Sequence, residues 1–188
     1  MDLSKACDIM NHTILKQKLE HYGFRVIFLD FMTQIVHDRR YFVKVNGIYS
    51  EIHNVNIGVP EGSTLGPLLF ILYVNDMKYI PPILHYIHFA DDTTILFSNS
   101  DFDLLISTLE TEGNKVIEWV NAIKHLINLA KTQSKMFTVK RNKPLLSINP
   151  INVIVKEQDI VTFLGVVIDN KPNWRAHKAH ICSKKIKP

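Results

Sequence analysis

The stretch Leu84-His-Tyr-Ile-His-Phe-Ala90-Asp91-Asp92-Thr-Thr-Ile-Leu-Phe97 places two acids at a tight turn between two apolar runs. Each run has the length and composition of a β-strand, so the stretch predicts a hairpin with both acids at its turn. Adjacent carboxylates repel each other, and buried flanks make their ionisation more costly. A divalent cation resolves this conflict, and Mg²⁺ prefers such hard oxygen ligands. Taken alone, Phe89 to Asp92 fit an exposed turn without a metal equally well.

The segments around this hairpin predict a fold that mixes helices with antiparallel strands. Apolar residues at helical spacing predict helices over residues 12–22, 26–36, 68–77 and 102–127. Asn46-Gly47 lies between two strand-like runs and is a strong hairpin signal. Short strands are predicted at residues 134–139, 152–155 and 162–168. The order of these elements predicts an α+β fold, with a mainly antiparallel sheet and helices packed on one face.

The composition is typical of one globular domain. The 188 residues are 46% hydrophobic and 21% charged, which argues against disorder. The longest apolar run, Pro67 to Val74, is shorter than the roughly 20 residues of a bilayer helix, and no secretory-type segment follows Met1. The two cysteines have neither disulfide nor zinc spacing. We therefore expect an intracellular protein, in the nucleus or the cytoplasm, with no membrane partner.

Charge is divided unevenly along the chain. The net charge is +4, but residues 1–130 hold 10 basic and 15 acidic side chains, whereas residues 131–188 hold 12 and 3. An acidic part joined to a basic part is expected of a carboxylate metal site beside a track for a phosphate backbone. A solvated basic face near a chain end is the alternative interpretation.

Five motifs resemble, in order, those of the reverse transcriptases of non-LTR (LINE-type) retrotransposons. They are Asp2-Leu-Ser-Lys-Ala-Cys-Asp8-Ile-Met-Asn-His12, Gly58-Val-Pro-Glu-Gly-Ser-Thr-Leu-Gly-Pro67 with its continuation to Asp76, Phe89-Ala-Asp-Asp92, Ile127-Asn-Leu-Ala-Lys131-Thr132, and Phe163-Leu-Gly165-Val-Val-Ile-Asp169. The resemblance implies the palm of an RNA-directed DNA polymerase over residues 1–170. Residues 171–188 would be the basic start of a truncated thumb, and the fingers would be missing.

The resemblance assigns the chemistry to three carboxylates and one lysine. Asp2 and Asp91 would hold two Mg²⁺ ions, or Mn²⁺, with Asp92 as their weaker neighbour. Two metals about 4 Å apart activate the primer hydroxyl and stabilise the leaving oxygen during phosphoryl transfer. Lys131 would neutralise or protonate the departing pyrophosphate, although a solitary lysine before a strand is more often plain surface charge.

Further positions would contact the substrates, which are an RNA template, a DNA primer and deoxynucleoside triphosphates. The resemblance implies a nucleotide or template role for Leu3, Cys7, Gly58, Pro60, Glu61 and Gly62, and a primer-grip role for Leu164 and Gly165. The glycines would let the backbone approach a base closely. Two residues depart from the family pattern. Cys7 replaces a bulky aromatic that excludes a ribose 2′-hydroxyl, and Glu61 replaces a glutamine.

Three functions of different classes fit these patterns. The first is a polymerase palm. The second is a catalytically inactive retroelement remnant or a domesticated nucleic-acid-binding module, which Cys7, Glu61 and the missing fingers favour. The third, an unrelated two-metal nuclease, shares the carboxylates but does not account for residues 58–76. For the isolated chain we expect weak, salt-sensitive nucleic-acid binding and little or no reverse transcription.

Overall fold

The computed structural model describes residues 1–37, 39–60, 62–140, 147–148, 155–169 and 174–185. Its helices are α1 (His12–His21), α2 (Val26–Gln34), α3 (Leu65–Val74), α4 (Phe102–Ala122) and α5 (Arg175–Lys185), and a 3-10 turn spans Asn75–Tyr79. Its strands are β1 (Arg39–Tyr41), β2 (Lys44–Val45), β3 (Ile48–Tyr49), β4 (His53–Val55), β5 (His85–Phe89), β6 (Asp92–Leu96), β7 (Ser147–Ile148), β8 (Val155–Lys156), β9 (Ile160–Phe163) and β10 (Val166–Asp169). The α+β class is confirmed.

The strands pair as separate antiparallel ribbons. The pairs are β1 with β4, β2 with β3, β5 with β6, β7 with β8 and β9 with β10. A short extended segment, residues 1–4, adds to the β5–β6 ribbon, because Asp2 pairs with Asp92 on one side and Leu3 with Ile127 on the other. The antiparallel pairing is therefore confined to short segments. Within the described residues, the largest array of paired segments consists of β5, β6, residues 1–4 and residues 126–128.

Helix α1 follows its sequence pattern closely. The side-chain oxygen of Asn11 accepts a hydrogen bond from the Ile14 backbone N–H at 3.1 Å, which caps the helix. Leu15 and Leu19 are fully buried, and Gly23 leaves the helix with a φ of +93°. Helix α1 packs against α2 and α3, and these three helices contribute much of the core.

Helices α3 and α4 differ most from their predicted ranges. Helix α3 begins at Leu65, earlier than residue 68, because a proline fits the first turn, where Pro67 needs no N–H partner. Helix α4 ends at Ala122 rather than near residue 127. The chain reverses there, with Lys124 at a φ of +56°.

Three predictions about strands were wrong. The single strand predicted at residues 162–168 is a hairpin, because positive φ at Leu164 and Gly165 turns the chain between β9 and β10. Residues 134–139 form no strand; Ser134 makes a single parallel bridge to Glu157. The ribbon β5–β6 is not buried on its flanks as expected, since Ile87 is 41% and Phe89 62% exposed. Of the predicted strand at residues 152–155, all but Val155 lie outside the described residues. Among the helices that the structure describes, none has the length and apolarity of a membrane span.

Buried polar side chains join distant parts of the chain. The Tyr73 hydroxyl on α3 donates to the Ile123 carbonyl at 2.6 Å, and His125 donates from Nε2 to the Ala6 carbonyl at 3.0 Å. Burial raises the pKa of Tyr73 to about 12, so its hydroxyl stays protonated as a donor. These bonds hold the end of α4 against the first residues of the chain.

Two buried histidines make the stability of this fold depend on pH. His125 is 1% and His12 4% exposed, and burial lowers the pKa of both imidazoles below the usual 6.5. As the pH falls below 6.5, the unfolded chain takes up protons that the folded chain resists, so the free energy of unfolding decreases. We predict that the urea midpoint falls when the pH is lowered from about 7.5 to about 5.5.

The measurement is urea unfolding followed by tryptophan fluorescence at several pH values. His125→Gln removes one of the titrating groups and should flatten the pH dependence, whatever its effect on the midpoint itself. His21→Gln, at an exposed position, is the control and should retain the full slope. Equal slopes for His125→Gln and the unsubstituted chain would contradict the prediction.

Candidate catalytic site

The main chain places Asp2 directly opposite Asp92. The backbone nitrogen of Met1 donates to the Thr93 carbonyl at 2.8 Å, and the Thr93 N–H donates to the Met1 carbonyl at 3.0 Å. On the other side, the Asn128 N–H donates to the Asp2 carbonyl at 2.9 Å. Directly opposed residues of an antiparallel pair project to the same face, with Cβ atoms roughly 4.5–5.5 Å apart. The carboxyl groups of Asp2 and Asp92 therefore share one face of the array.

Asp91 lies at the tip of the adjoining turn. Because Phe89 pairs with Asp92, Ala90 and Asp91 form a two-residue hairpin loop. Asp91 and Asp92 are exposed, and Asp2 is partly buried. Across the described part of the chain, no three His, Cys, Asp or Glu side chains are grouped closely enough to hold a metal ion. Asp2, Asp91 and Asp92 thus lie in one part of the fold, called here the carboxylate corner, but their side chains are not grouped closely enough to surround a metal ion.

The hairpin loop holds a residue in a strained conformation. Ala90 has a φ of +51°, which suits the first loop position of a type II′ turn but costs an L-residue roughly 1–2 kcal/mol. Glycine avoids this cost, although it loses more chain entropy on folding. We predict that Ala90→Gly raises the free energy of unfolding by about 0.5–1 kcal/mol, measured by urea unfolding.

Ala130→Gly is the matched control for this substitution. Ala130 is exposed and is not among the positive-φ residues of the described chain. Glycine there gains nothing from relieved strain and should leave the stability equal or lower. A loss of stability in Ala90→Gly as large as in Ala130→Gly would show that the Ala90 conformation carries no strain.

Lys131 lies beside Asp2, although 129 positions separate them in sequence. Its Nζ is 3.7 Å from Asp2 Oδ2, and its side chain is 71% exposed while that of Asp2 is 14% exposed. The Lys131 N–H donates to the Asn128 carbonyl at 3.2 Å, and Asn128 is itself paired with Asp2. Because the lysine is well solvated, the ion pair adds little stability. It does keep a mobile ammonium group next to the carboxylate corner.

Gly58 joins the second motif to the first. Its N–H donates to the Met10 carbonyl at 2.8 Å, and its carbonyl accepts from His12 Nε2 at 2.7 Å. Gly58 has a φ of +77°, and a Cβ there would lie 2.4 Å from the Asp8 carbonyl oxygen. The contact with the Asp8 backbone therefore accounts for the glycine at this position. A contact between this backbone and a template base stays a prediction.

The other predicted nucleotide residues differ in accessibility. Leu3 is 2% exposed, so its side chain belongs to the core and only its backbone is left for a nucleotide. Cys7 is half-buried and packs against the core. Pro60 uses its carbonyl to accept from the Ser63 hydroxyl at 2.8 Å. Gly62 has a φ of +70° with open space around it, and Glu61 lies outside the described residues.

The predicted primer-grip residues form the turn between β9 and β10. Leu164 has a φ of +46° and Gly165 a φ of +81°, and positive φ at both loop positions is typical of a type I′ turn. Leu164 is 45% exposed. Helix α5 packs on β10, where the Val167 N–H donates to His177 Nδ1 at 3.3 Å. Contact with a primer and a domain boundary at residue 170 stay predictions.

Sequence patterns missed the residues that align this corner. Thr93 and Asn128 bind the two sides of residues 1–2 through their main chains. Asn128 stands in the fourth motif, so its position offered a signal. No signal marked Thr93 apart from its place directly after Asp91 and Asp92. They act through backbone N–H and C=O groups. Since every non-proline residue has these groups, the residue type does not reveal the role.

Comparisons with known proteins identify the relatives of this chain. The family described as reverse transcriptase (RNA-dependent DNA polymerase) matches residues 1–168. The chain is 28% identical to a probable RNA-directed DNA polymerase from transposon X-element of Drosophila melanogaster, over 96% of this chain and 20% of that protein. It is 26% identical to a probable RNA-directed DNA polymerase from transposon BS, over 94% of this chain and 20% of that protein, and 24% identical to the RNA-directed DNA polymerase from mobile element jockey, over 96% and 20%, both of the same organism.

The chain spans about one fifth of the length of these curated relatives. The family match nevertheless takes in most of the chain, from the segment of Asp2 to the turn at Leu164 and Gly165. The paired carboxylate segments, the adjacent lysine and the glycine loop described above all lie within it. The chain therefore belongs to the reverse transcriptase family.

Proposed function

We propose that this chain acts as the palm of an RNA-directed DNA polymerase and binds divalent metal ions with Asp2, Asp91 and Asp92. The observation that carries the proposal is the pairing of Asp2 with Asp92 next to the Asp91 turn. Backbone hydrogen bonds on both sides fix the position of Asp2. The proposed substrates are an RNA template, a DNA primer and deoxynucleoside triphosphates, and the proposed location is the nucleus or the cytoplasm.

The chemistry of the three carboxylates fits the metals that reverse transcriptases use. Their oxygen atoms are hard donors of the kind that Mg²⁺ and Mn²⁺ prefer. When bound there, the metal ions would activate the primer hydroxyl and stabilise the leaving oxygen. Asp2 would be the rigid ligand because it lies within the strand array. Asp91 and Asp92 are exposed, which leaves them accessible to metal-bound phosphates.

Lys131 would serve the departing pyrophosphate. Its ammonium group is 3.7 Å from Asp2 and 71% exposed, so it can turn from the carboxylate to a phosphate without leaving a buried environment. A protonated amine both neutralises the developing charge and holds a transferable proton at Nζ. The nearby Asp2 keeps the amine next to the site before the substrate arrives.

A second function, a nucleic-acid-binding module without catalysis, is favoured by two observations. The described residues contain no cluster of three metal-binding side chains, and the half-buried Cys7 is much smaller than the aromatic residue usual at this position of the first motif. Such a module would bind RNA or DNA but would not align a triphosphate for transfer. Alignment of that kind contributes roughly 7–11 kcal/mol to catalysis.

Metal binding is tested by titrating the purified chain with Mn²⁺ and following the paramagnetic signal of the free ion. Asp2→Asn and Asp91→Asn are expected to weaken Mn²⁺ binding at least roughly tenfold, because each removes a charged ligand. Asp30→Asn, on the exposed side of α2, removes the same charge elsewhere and should change little. Identical binding by all four proteins would refute the metal site.

Primer extension separates the two functions. The assay combines the chain with a primed RNA template, deoxynucleotides and Mg²⁺, beside an Asp91→Ala variant. Extension that vanishes in the variant supports the polymerase. Mn²⁺ uptake and RNA binding without any extension support the non-catalytic module, in which the site has been kept but the alignment of substrates has been lost.

A further inference from the structure

A polar pocket lies between the start of α1 and the base of the β1–β4 ribbon. Its cavity measures about 270 Å³. Besides Val55, the lining consists of six polar side chains: His12, Thr13, His37, Arg39, Asn54 and Asn56. No acidic residue occurs among these described lining residues. The pocket shares no residue with the carboxylate corner, so its chemistry needs a separate explanation.

The lining is suited to an anion. The Arg39 guanidinium is a planar cation whose N–H donors match the geometry of phosphate oxygens, and the His37 ring lies 5.2 Å from the ring of His12. His12 is 4% exposed and is held by the Gly58 carbonyl at 2.7 Å, so the wall that it forms is preorganised. Asn54 and Asn56 add amide donors. Helix α1 starts at His12, and the positive end of its dipole adds to the attraction.

Exposed aromatic rings continue from the pocket along the ribbon. Arg39 pairs with Val55 and Tyr41 with His53, so Arg39 and Tyr41 project from the same face. Tyr41 is 52% exposed, and its ring lies 5.7 Å from that of His53. In the next ribbon, the Phe42 and Tyr49 rings are 5.4 Å apart, and Lys44 Nζ lies 4.8 Å from the centre of the Tyr49 ring.

Cations interleaved with exposed rings are the composition of a single-strand nucleic-acid site. Cations hold the phosphates, and flat rings stack on bases of any sequence. A base-paired duplex keeps its bases stacked internally and offers no free face to such rings. A free phosphate or nucleotide would use the pocket but would leave the rings of the ribbon without a role. The pattern therefore favours a single strand over a duplex or a small anion.

We infer that the pocket binds one phosphodiester of a single-stranded RNA, and that the Tyr41–His53 ring pair stacks on the neighbouring base. The inference rests on the proposed function for the identity of the nucleic acid. Arg39 and His37 donate to the phosphate oxygens, and the first turn of α1 faces them. Beyond Tyr41, the strand follows the ribbon toward the Phe42–Tyr49 rings and Lys44.

The test is fluorescence anisotropy of a labelled single-stranded RNA of about 12 nucleotides, titrated with the full chain in chelator at several salt concentrations. Arg39→Gln should weaken binding at least roughly fivefold and reduce the salt slope by about 0.7, the value of one phosphate contact in a single strand. Tyr41→Ala should weaken binding about 5- to 100-fold with an unchanged salt slope, because it removes stacking. Circular dichroism checks that each variant is folded.

Lys115→Gln is the control because it removes the same charge on α4, where Lys115 is 48% exposed and paired with Glu112. Its affinity should stay within about twofold of the unsubstituted chain. Equal affinities of Arg39→Gln and Lys115→Gln would overturn the inference. It would also be overturned by equally tight binding of duplex RNA, or by complete competition from millimolar inorganic phosphate, which would reassign the pocket to a small anion.

This experiment can refute the RNA site without affecting the test of the proposed function. The RNA titration contains no metal ion, and the Mn²⁺ titration contains no RNA. If Arg39 and Tyr41 prove irrelevant while Mn²⁺ uptake depends on Asp2 and Asp91, only the pocket is refuted. The reverse result refutes the metal site and keeps the RNA track.

Discussion

Gly58→Ala is expected to lower the free energy of unfolding by roughly 2–5 kcal/mol, which is a large part of the stability of a small domain. The new Cβ would lie 2.4 Å from the Asp8 carbonyl oxygen and 2.8 Å from its carbon. Both atoms are backbone and cannot move aside cheaply. The φ of +77° adds strain for any L-residue.

The clash would also disturb the hydrogen bonds around it. Gly58 donates to Met10, and the Val59 N–H donates to the Cys7 carbonyl at 2.9 Å. Because these bonds tie the glycine loop to the first motif, their loss would loosen the segment that carries Asp2. Urea unfolding followed by tryptophan fluorescence measures the effect, and Trp119, 6% exposed, reports on the core.

Gly62→Ala is the matched control in the same loop. Gly62 has a φ of +70°, but a Cβ there meets nothing within 4 Å. It therefore carries only the conformational cost of roughly 1–2 kcal/mol. The difference between the two variants isolates the clash with Asp8. Equal losses in both would mean that the loop relaxes away from the first motif at little cost.

Asp76→Ala is expected to destabilise the chain by roughly 2–4 kcal/mol, because it leaves the ammonium group of Lys18 without its counter-ion. Lys18 Nζ lies 2.5 Å from Asp76 Oδ1, and the Lys18 side chain is 12% exposed. It also donates to the Tyr73 carbonyl at 2.6 Å and lies 5.0 Å from the centre of the Trp119 ring. Burial lowers the pKa of Lys18, and Asp76 opposes that shift.

A double-mutant cycle checks the origin of this loss. Lys18→Met combined with Asp76→Ala removes both charges and should recover much of the stability lost by Asp76→Ala alone. Asp76 is 36% exposed, so solvent screens part of its interaction with Lys18. The expected loss of stability is therefore smaller than for a fully buried ion pair. Glu112→Ala breaks the pair with Lys115, whose side chain is 48% exposed and can be solvated without its partner, so this change should cost at most about 1 kcal/mol. A similar cost for both substitutions would show that the burial of the Lys18 side chain contributes nothing to the loss.

The sequence alone predicted the features that depend on near neighbours. The Asn46-Gly47 turn lies where the local pattern indicated, and α1 covers almost the whole range that its spacing predicted. Their conformations follow from side chains and φ preferences within a few residues. The five motifs were likewise sufficient to identify the family, because each retains its residues in order.

Only the tertiary structure decided which distant segments meet. The pairing of Asp2 with Asp92 and the approach of Lys131 to Asp2 join positions that no periodicity relates. On the other side of the first segment, residues 126–128 form hydrogen bonds with residues 2–4 instead of continuing α4. Propensity describes a residue among its neighbours in sequence, whereas the backbone hydrogen bonds of an extended segment are satisfied by whichever segment folds beside it. The polar pocket at His37 and Arg39 arose for the same reason, because α1 and the β1–β4 ribbon become neighbours only in the folded chain.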